Sequence, residues 1–148
     1  ARSKVLVEEY EMCVHDAKKI WSFGRGTTGA NMLVEQTMAS PFIDKIRDSV
    51  VTAFHWATKE GAVCDENMRG IGFFLADCVV AVDCSVRGKG IGPGMIVPAS
   101  RRAIFGAQIM ADPKLLEPVL LVEIHCCQRV AGSINDVLKR RRGRVLEE

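Results

Sequence analysis

The sequence predicts an α/β (α+β) chain: a mixed body followed by a short β-α-β tail. Three observations predict it. Apolar residues recur at three- and four-residue steps in several stretches, the mark of amphipathic helices. The run "IGFFLADCVVAVD" at 71–83 is rich in β-branched and aromatic types and reads as strand, with a turn at Ala76-Asp77. At 111–118, "ADPKLLEP" combines two prolines with a change of charge and marks a boundary. The chain has 148 residues, 48% of them hydrophobic, so it can bury a core as one ordinary domain or two small ones.

The elements follow in order. Leu6, Tyr10, Val14, Ala17 and Trp21 predict a helix over 5–21, which "FGRGTTGANM" then breaks. Ser40 suits a cap and Pro41 a first helical position. The helix they introduce carries Ile43, Ile46, Val50, Ala53, Phe54 and Ala57 on one stripe and stops at Gly61. After the 71–83 strand and a glycine-rich loop, Pro98 should start another helix, with Ile104, Ala107 and Ala111 facing the core and Arg101, Arg102 and Gln108 elsewhere. From about 117, "VLLVEIHCC" reads as strand. A helix with Val130, Ile134, Val137 and Leu138 on one face follows, ending in "KRRRG", and "RVLEE" starts a second strand. Cations at that helix end complement its dipole. A single β-α-β unit cannot cover both faces of its sheet, so the tail should lean on something else.

Composition excludes several classes. The net charge of +2 rules out a generic polycation, and no apolar run is long enough to cross a membrane. The start, "ARSKVLVEEYEMCVHDAKK", is too charged for a signal peptide. Six cysteines form no C-x-x-C and read as buried, reduced thiols of an intracellular protein. No zinc-ligand spacing is visible, so no metal is expected. His15, His55 and His125 are dispersed, and no nucleophile–base order stands out. "GRGTTG" at Gly24–Gly29 matches a dinucleotide fingerprint, but a helix rather than a strand should precede it, so it reads as a turn. No G-x-x-x-x-G-K-[S/T] occurs, so the chain should hold no P-loop.

What remains is the stretch Asp83–Arg102, with glycines at 88, 90, 92 and 94 among Arg87, Lys89, Arg101 and Arg102. Two readings stand. It is a solvated connection, or it is an RNA contact in which glycines let the backbone approach phosphates that Arg and Lys neutralise. "KRRRGR" at 139–144 divides the same way, into a solvated helix end or a phosphate patch.

Several stretches together resemble one family. "AKKIWSFG", "IDKIRDSVVTAFHWATKEGAVCDENMRG", "IVPASRR", "DPKLLEPVLLVEI" and "VLKRRRGRVLEE" are similar, in order and spacing, to the C-terminal part of eukaryotic elongation factor 2, the ribosomal translocase. The resemblance runs from about residue 3 to 148. It implies that residues 1–116 correspond to most of domain IV, with a fold like that of ribosomal protein S5 domain 2. Residues 117–148 would be the first β-α-β half of a ferredoxin-like domain V. Looser likeness extends to paralogues working in splicing and ribosome biogenesis.

The implied function is a part in GTP-dependent translocation, in the cytoplasm. The implied partners are the ribosome's decoding site, rRNA and the tRNA–mRNA duplex, with neither membrane nor DNA. GTP and Mg²⁺ would belong to a G domain upstream, leaving this chain no cofactor and no catalytic site. The tip loop, 84–95, would carry the RNA contact through Asp83, Val86, Arg87, Gly88, Lys89 and Gly90. Arg87 and Lys89 would meet phosphates, Gly88 and Gly90 would permit the turn, and Asp83 would brace it. Arg101 and Arg102 match arginines that contact RNA or a neighbouring domain, or pack. The family's pattern D-A-I-H-R falls on Asp83–Arg87, so Val86 stands where the family's histidine becomes diphthamide, and valine lacks the ring that modification needs.

Overall fold

The computed structural model describes residues 2–26, 29–38, 42–80 and 92–147, and the chain divides into two compact units, Ala1–Lys114 and Leu115–Glu148. In the first unit the elements are α1 (Arg2–Glu8), α2 (Val14–Lys18), β1 (Ile20–Phe23), β2 (Met32–Glu35), α3 (Ile43–Lys59), β3 (Gly72–Leu75) and α4 (Pro93–Met110). Helices plus a small mixed sheet make it an α+β fold. The strand order is β1-β2-β3, with β1 antiparallel and β3 parallel to β2.

The helix expected over 5–21 is two short helices and a strand. The amide of Met12 donates to the Leu6 carbonyl (3.1 Å), and Glu11 turns left-handed at φ +52°, which ends α1. Ala17 is buried while Tyr10 and Val14 are exposed, and Trp21 lies in β1. A strand, β1, therefore precedes Gly24–Gly29. The motif connects it to β2, so the element that follows is again a strand and not the helix a dinucleotide site requires. Beyond β2, Glu35 is tied to the end of α2: its amide donates to Lys19 O (3.0 Å), and its carboxylate accepts from Thr37 and Lys19. Burial alone would raise that carboxyl, but those bonds and the Lys19 charge outweigh it and hold it below its ordinary value.

The long helix α3 buries the expected stripe: Ile46, Val50, Ala53, Phe54 and Ala57. It is described from Ile43, after a left-handed Phe42 (φ +68°); the expected cap Ser40 and first position Pro41 lie outside the described residues. With Leu33, Met68, Phe73 and Ile104, this stripe forms the core. The opposing helix α4 starts five residues before Pro98, which sits inside it. Pro98 and Gly94, whose carbonyl loses its partner there, are both exposed, so water can take the missing bond. The inward face of α4 also differs from expectation. Ile104 is buried, but Ala107 and Ala111 are exposed, and Arg101 and Gln108 turn inward instead.

Among its described residues the second unit holds one helix, α5 (Gln128–Arg140), and no buried residue. Its exit is a hydrogen-bonded cap: Gly143 N donates to Leu138 O (2.7 Å) and Arg142 N to Lys139 O (3.2 Å), with Arg142, not Gly143, left-handed at φ +59°. The segments expected as strands, 119–127 and 144–147, lie outside any ladder. A strand needs neighbours to satisfy its backbone, and among the described residues no segment pairs with these two.

Candidate nucleic-acid interface

The six tip-loop residues singled out by sequence, Asp83, Val86, Arg87, Gly88, Lys89 and Gly90, lie outside the described residues. What the structure gives is the frame on either side. On the incoming side, β3 pairs with β2 from Met32↔Gly72 to Glu35↔Leu75. Cys78 and Val80 then still pack on the core, while Val79 between them is exposed. The Asp77 carboxylate accepts from the Cys78 amide at 2.7 Å. Burial, and then the Asp77 charge, push the Cys78 thiol up, so it stays protonated. On the outgoing side, Gly92 caps α4 in an extended conformation (φ −117°, ψ 156°) and its carbonyl accepts from Met95 N at 3.0 Å. Pro93 fixes the first turn, which contains no acidic side chain to oppose an anion.

Of the two helix arginines, Arg102 is exposed, but Arg101 is engaged within the chain. Its Nη2 donates to Glu60 Oε2 at 3.1 Å, and the same oxygen accepts from Trp56 Nε1 at 3.3 Å. The guanidinium lies over the Trp56 ring at 4.4 Å and the Phe105 ring at 5.0 Å. Arg101 Nε is buried without a hydrogen-bond partner. The side chain thus clamps α4 to α3 through the Glu60 carboxylate and the face of the Trp56 ring.

Residues that sequence reasoning passed over hold the rest of the frame. Asn31 is fully buried; its Nδ2 donates to Met68 O at 2.7 Å and its Oδ1 accepts from Ile71 N at 3.0 Å. Gln108 Oε1 accepts from Ala62 N at 2.8 Å, and Thr58 O accepts from Met68 N at 2.9 Å. Gly61 donates to Glu66 O at 2.9 Å, and a Cβ there would come within 3.0 Å of that same oxygen. The stretch "KEGAVCDENMRG" is therefore a pinned connection from α3 into β3 rather than a surface for chemistry. Glycine at position 61 gives the close approach it needs. Only Gly61 left a sequence signal, as a helix stop; single Asn and Gln side chains carry no period.

On the other side of α3, His55 Nε2 lies 3.1 Å from Ser22 Oγ, and His55 Nδ1 is buried with no partner. Burial first, then the charge of Arg25, lowers the imidazole from its ordinary 6.5. The unfolded chain thus binds the proton more readily than the folded one. Stability from this group is complete above about pH 6.5 and is lost as pH falls toward the depressed folded value. A urea midpoint that drops between pH 7 and pH 5, and drops less in His55→Gln, is the expected result. Equal slopes in both proteins would remove His55 as the cause.

Among the described residues no group of three His, Cys, Asp or Glu side chains is placed to hold a metal ion, and no helix is long and apolar enough to cross a membrane. The described frame is a sheet and two clamped helices, and in the sequence a glycine-rich cationic connection joins β3 to α4. Comparison with protein families gives the same region a lineage: residues 1–112 match the model of elongation factor G, domain IV. That span exceeds three quarters of the chain, and the chain therefore belongs to the family of translocase-type elongation factors, which act on the ribosome.

Proposed function

We propose that this chain is the ribosome-contacting part of an elongation factor of the factor 2 kind, and that its 84–95 loop enters the small-subunit decoding site and holds the tRNA–mRNA duplex during translocation. The observation that carries this reading is the position of the loop. Arg87 and Lys89 fall between β3 and the start of α4, two elements locked to one core by Phe73 and Ile104. A cationic loop on such a base can press on polyanionic strands without the base yielding. Arg102, exposed on α4, would add a phosphate contact, whereas Arg101 would act through the frame. Residues 117–148 would begin domain V, and the protein would work in the cytoplasm. GTP and Mg²⁺ would bind a G domain outside these 148 residues, which contain no phosphate-binding P-loop motif.

The test is salt dependence. With purified small subunits, Arg87→Ala/Lys89→Ala should bind more weakly, and the slope of log affinity against log salt should shrink by about 1 to 2 units. An unchanged slope would show that neither side chain meets phosphate. Val86 favours a second reading, a paralogue in splicing or ribosome biogenesis, because the modifiable histidine of the translocase is replaced. Identification of co-purified RNA separates the two: ribosomal RNA with tRNA supports translocation, and spliceosomal RNA supports the paralogue.

A further inference from the structure

Cys126 and Cys127 are consecutive and in no disulfide, and both are exposed rather than buried as the sequence leads one to expect. Cys127 caps α5 with extended dihedrals (φ −78°, ψ 149°), and its carbonyl accepts from Val130 N at 3.0 Å. The peptide joining the two cysteines is trans. Consecutive Cα atoms across a trans bond are about 3.8 Å apart, closer than the roughly 4.4–6.8 Å that a relaxed disulfide spans. Direct closure to a disulfide therefore opposes the backbone that the start of α5 imposes. A larger atom inserted between the two sulfurs lengthens the bridge and removes that conflict. The neighbouring His125 has its Nε2 3.3 Å from Glu123 Oε1. Among the described residues no third ligand completes a metal site.

We propose that Cys126 and Cys127 form a two-thiol site for trivalent arsenicals and like thiophilic electrophiles that accept two sulfur ligands. In the reaction with an organoarsenic dihydroxide, two As–S bonds form and two As–O bonds break. The two thiol protons leave with the hydroxides as two water molecules, and neither arsenic nor sulfur changes oxidation state. The second thiol reacts within the chain, at high effective concentration, which gives the pair its advantage over any single thiol. Cys13 and Cys64 serve as built-in comparisons: both are exposed, and neither has a cysteine beside it in sequence.

The experiment uses the full 148-residue chain and phenylarsine oxide as the probe, with peptide mapping by mass spectrometry. One arsenical should be retained on the peptide containing residues 126–127 in excess monothiol and released by a dithiol. Cys126→Ser and Cys127→Ser should each weaken retention by roughly a hundredfold; both positions are exposed, so neither change disturbs a core. Retention unchanged in either single variant would overturn the proposal. So would equal retention at Cys13 or Cys64, or ready closure of a 126–127 disulfide under mild oxidation.

Discussion

Replacing Asn31 with leucine should destabilise the first unit by about 2–5 kcal/mol, because one buried and one part-buried backbone group lose their partners at once. Asn31 is completely shielded, and one side chain serves both Met68 O, at 2.7 Å, and Ile71 N, at 3.0 Å. Leucine fills much the same space and bonds to neither. Each orphaned group then carries a desolvation cost of about 1–3 kcal/mol, which leucine's added apolar burial offsets only in part. The backbone of Asn31 adds to the arrangement, since its carbonyl accepts from Gly24 N at 2.8 Å. Met32 N donates to Ile71 O at 3.0 Å, so the side chain sits where β2 takes up its register against β3. Urea unfolding measures the loss, and hydrogen exchange locates it: the Ile71 amide should exchange faster in the variant while the amides inside α3 track only global stability. A midpoint change equivalent to less than about 0.5 kcal/mol would mean that water reaches these groups.

The parts of this fold that could be read from sequence are those with a period. The buried stripe of α3 repeats at helical spacing over 17 residues, and the packing follows it. Strand β2 escaped because it is four residues long and central. Leu33 and Val34 are both buried, so the polar–apolar alternation that reveals a half-exposed strand is absent. The apolar spacing that predicts one helix over 5–21 continues through Glu11, whose left-handed backbone no pattern of apolar residues announces. Pro98 resembles a helix start because proline suits the first helical position. Here Gly92-Pro93 supply the start, and the exposed side of α4 tolerates the second proline.

For the candidate site, composition pointed to the 83–102 stretch but could not sort its arginines. Arg101 and Arg102 are adjacent and chemically identical, and only the facing surface of α3, with Trp56 and Glu60, sets one apart. The polar pins Asn31 and Gln108 were invisible for the same reason: their partners lie 37 to 46 residues away along the chain.

Phe54→Ala should cost about 3–5 kcal/mol, on the order of half the stability of an ordinary domain. Phe54 is the largest fully buried side chain among the described residues. Its ring meets that of Phe73 edge-on, with centroids 6.0 Å apart and planes at 74°, an arrangement that adds about 0.5–1.5 kcal/mol to simple burial. The same core cluster includes Ile104 of α4, so Phe54 lies among the residues that join α3, β3 and α4. Those last two elements flank the candidate RNA loop. Phe54→Leu fills more of the space and should leave the chain folded but looser. That milder variant separates a mounting role from a contact role. It removes no cation, so on the proposed function it should weaken small-subunit binding while leaving the salt slope as it was. Arg87→Ala/Lys89→Ala should do the reverse, changing the slope with little effect on the urea midpoint. If Phe54→Leu lowered stability yet bound small subunits with undiminished affinity, the rigidity of the α3–β3–α4 frame would have no part in how the loop meets RNA.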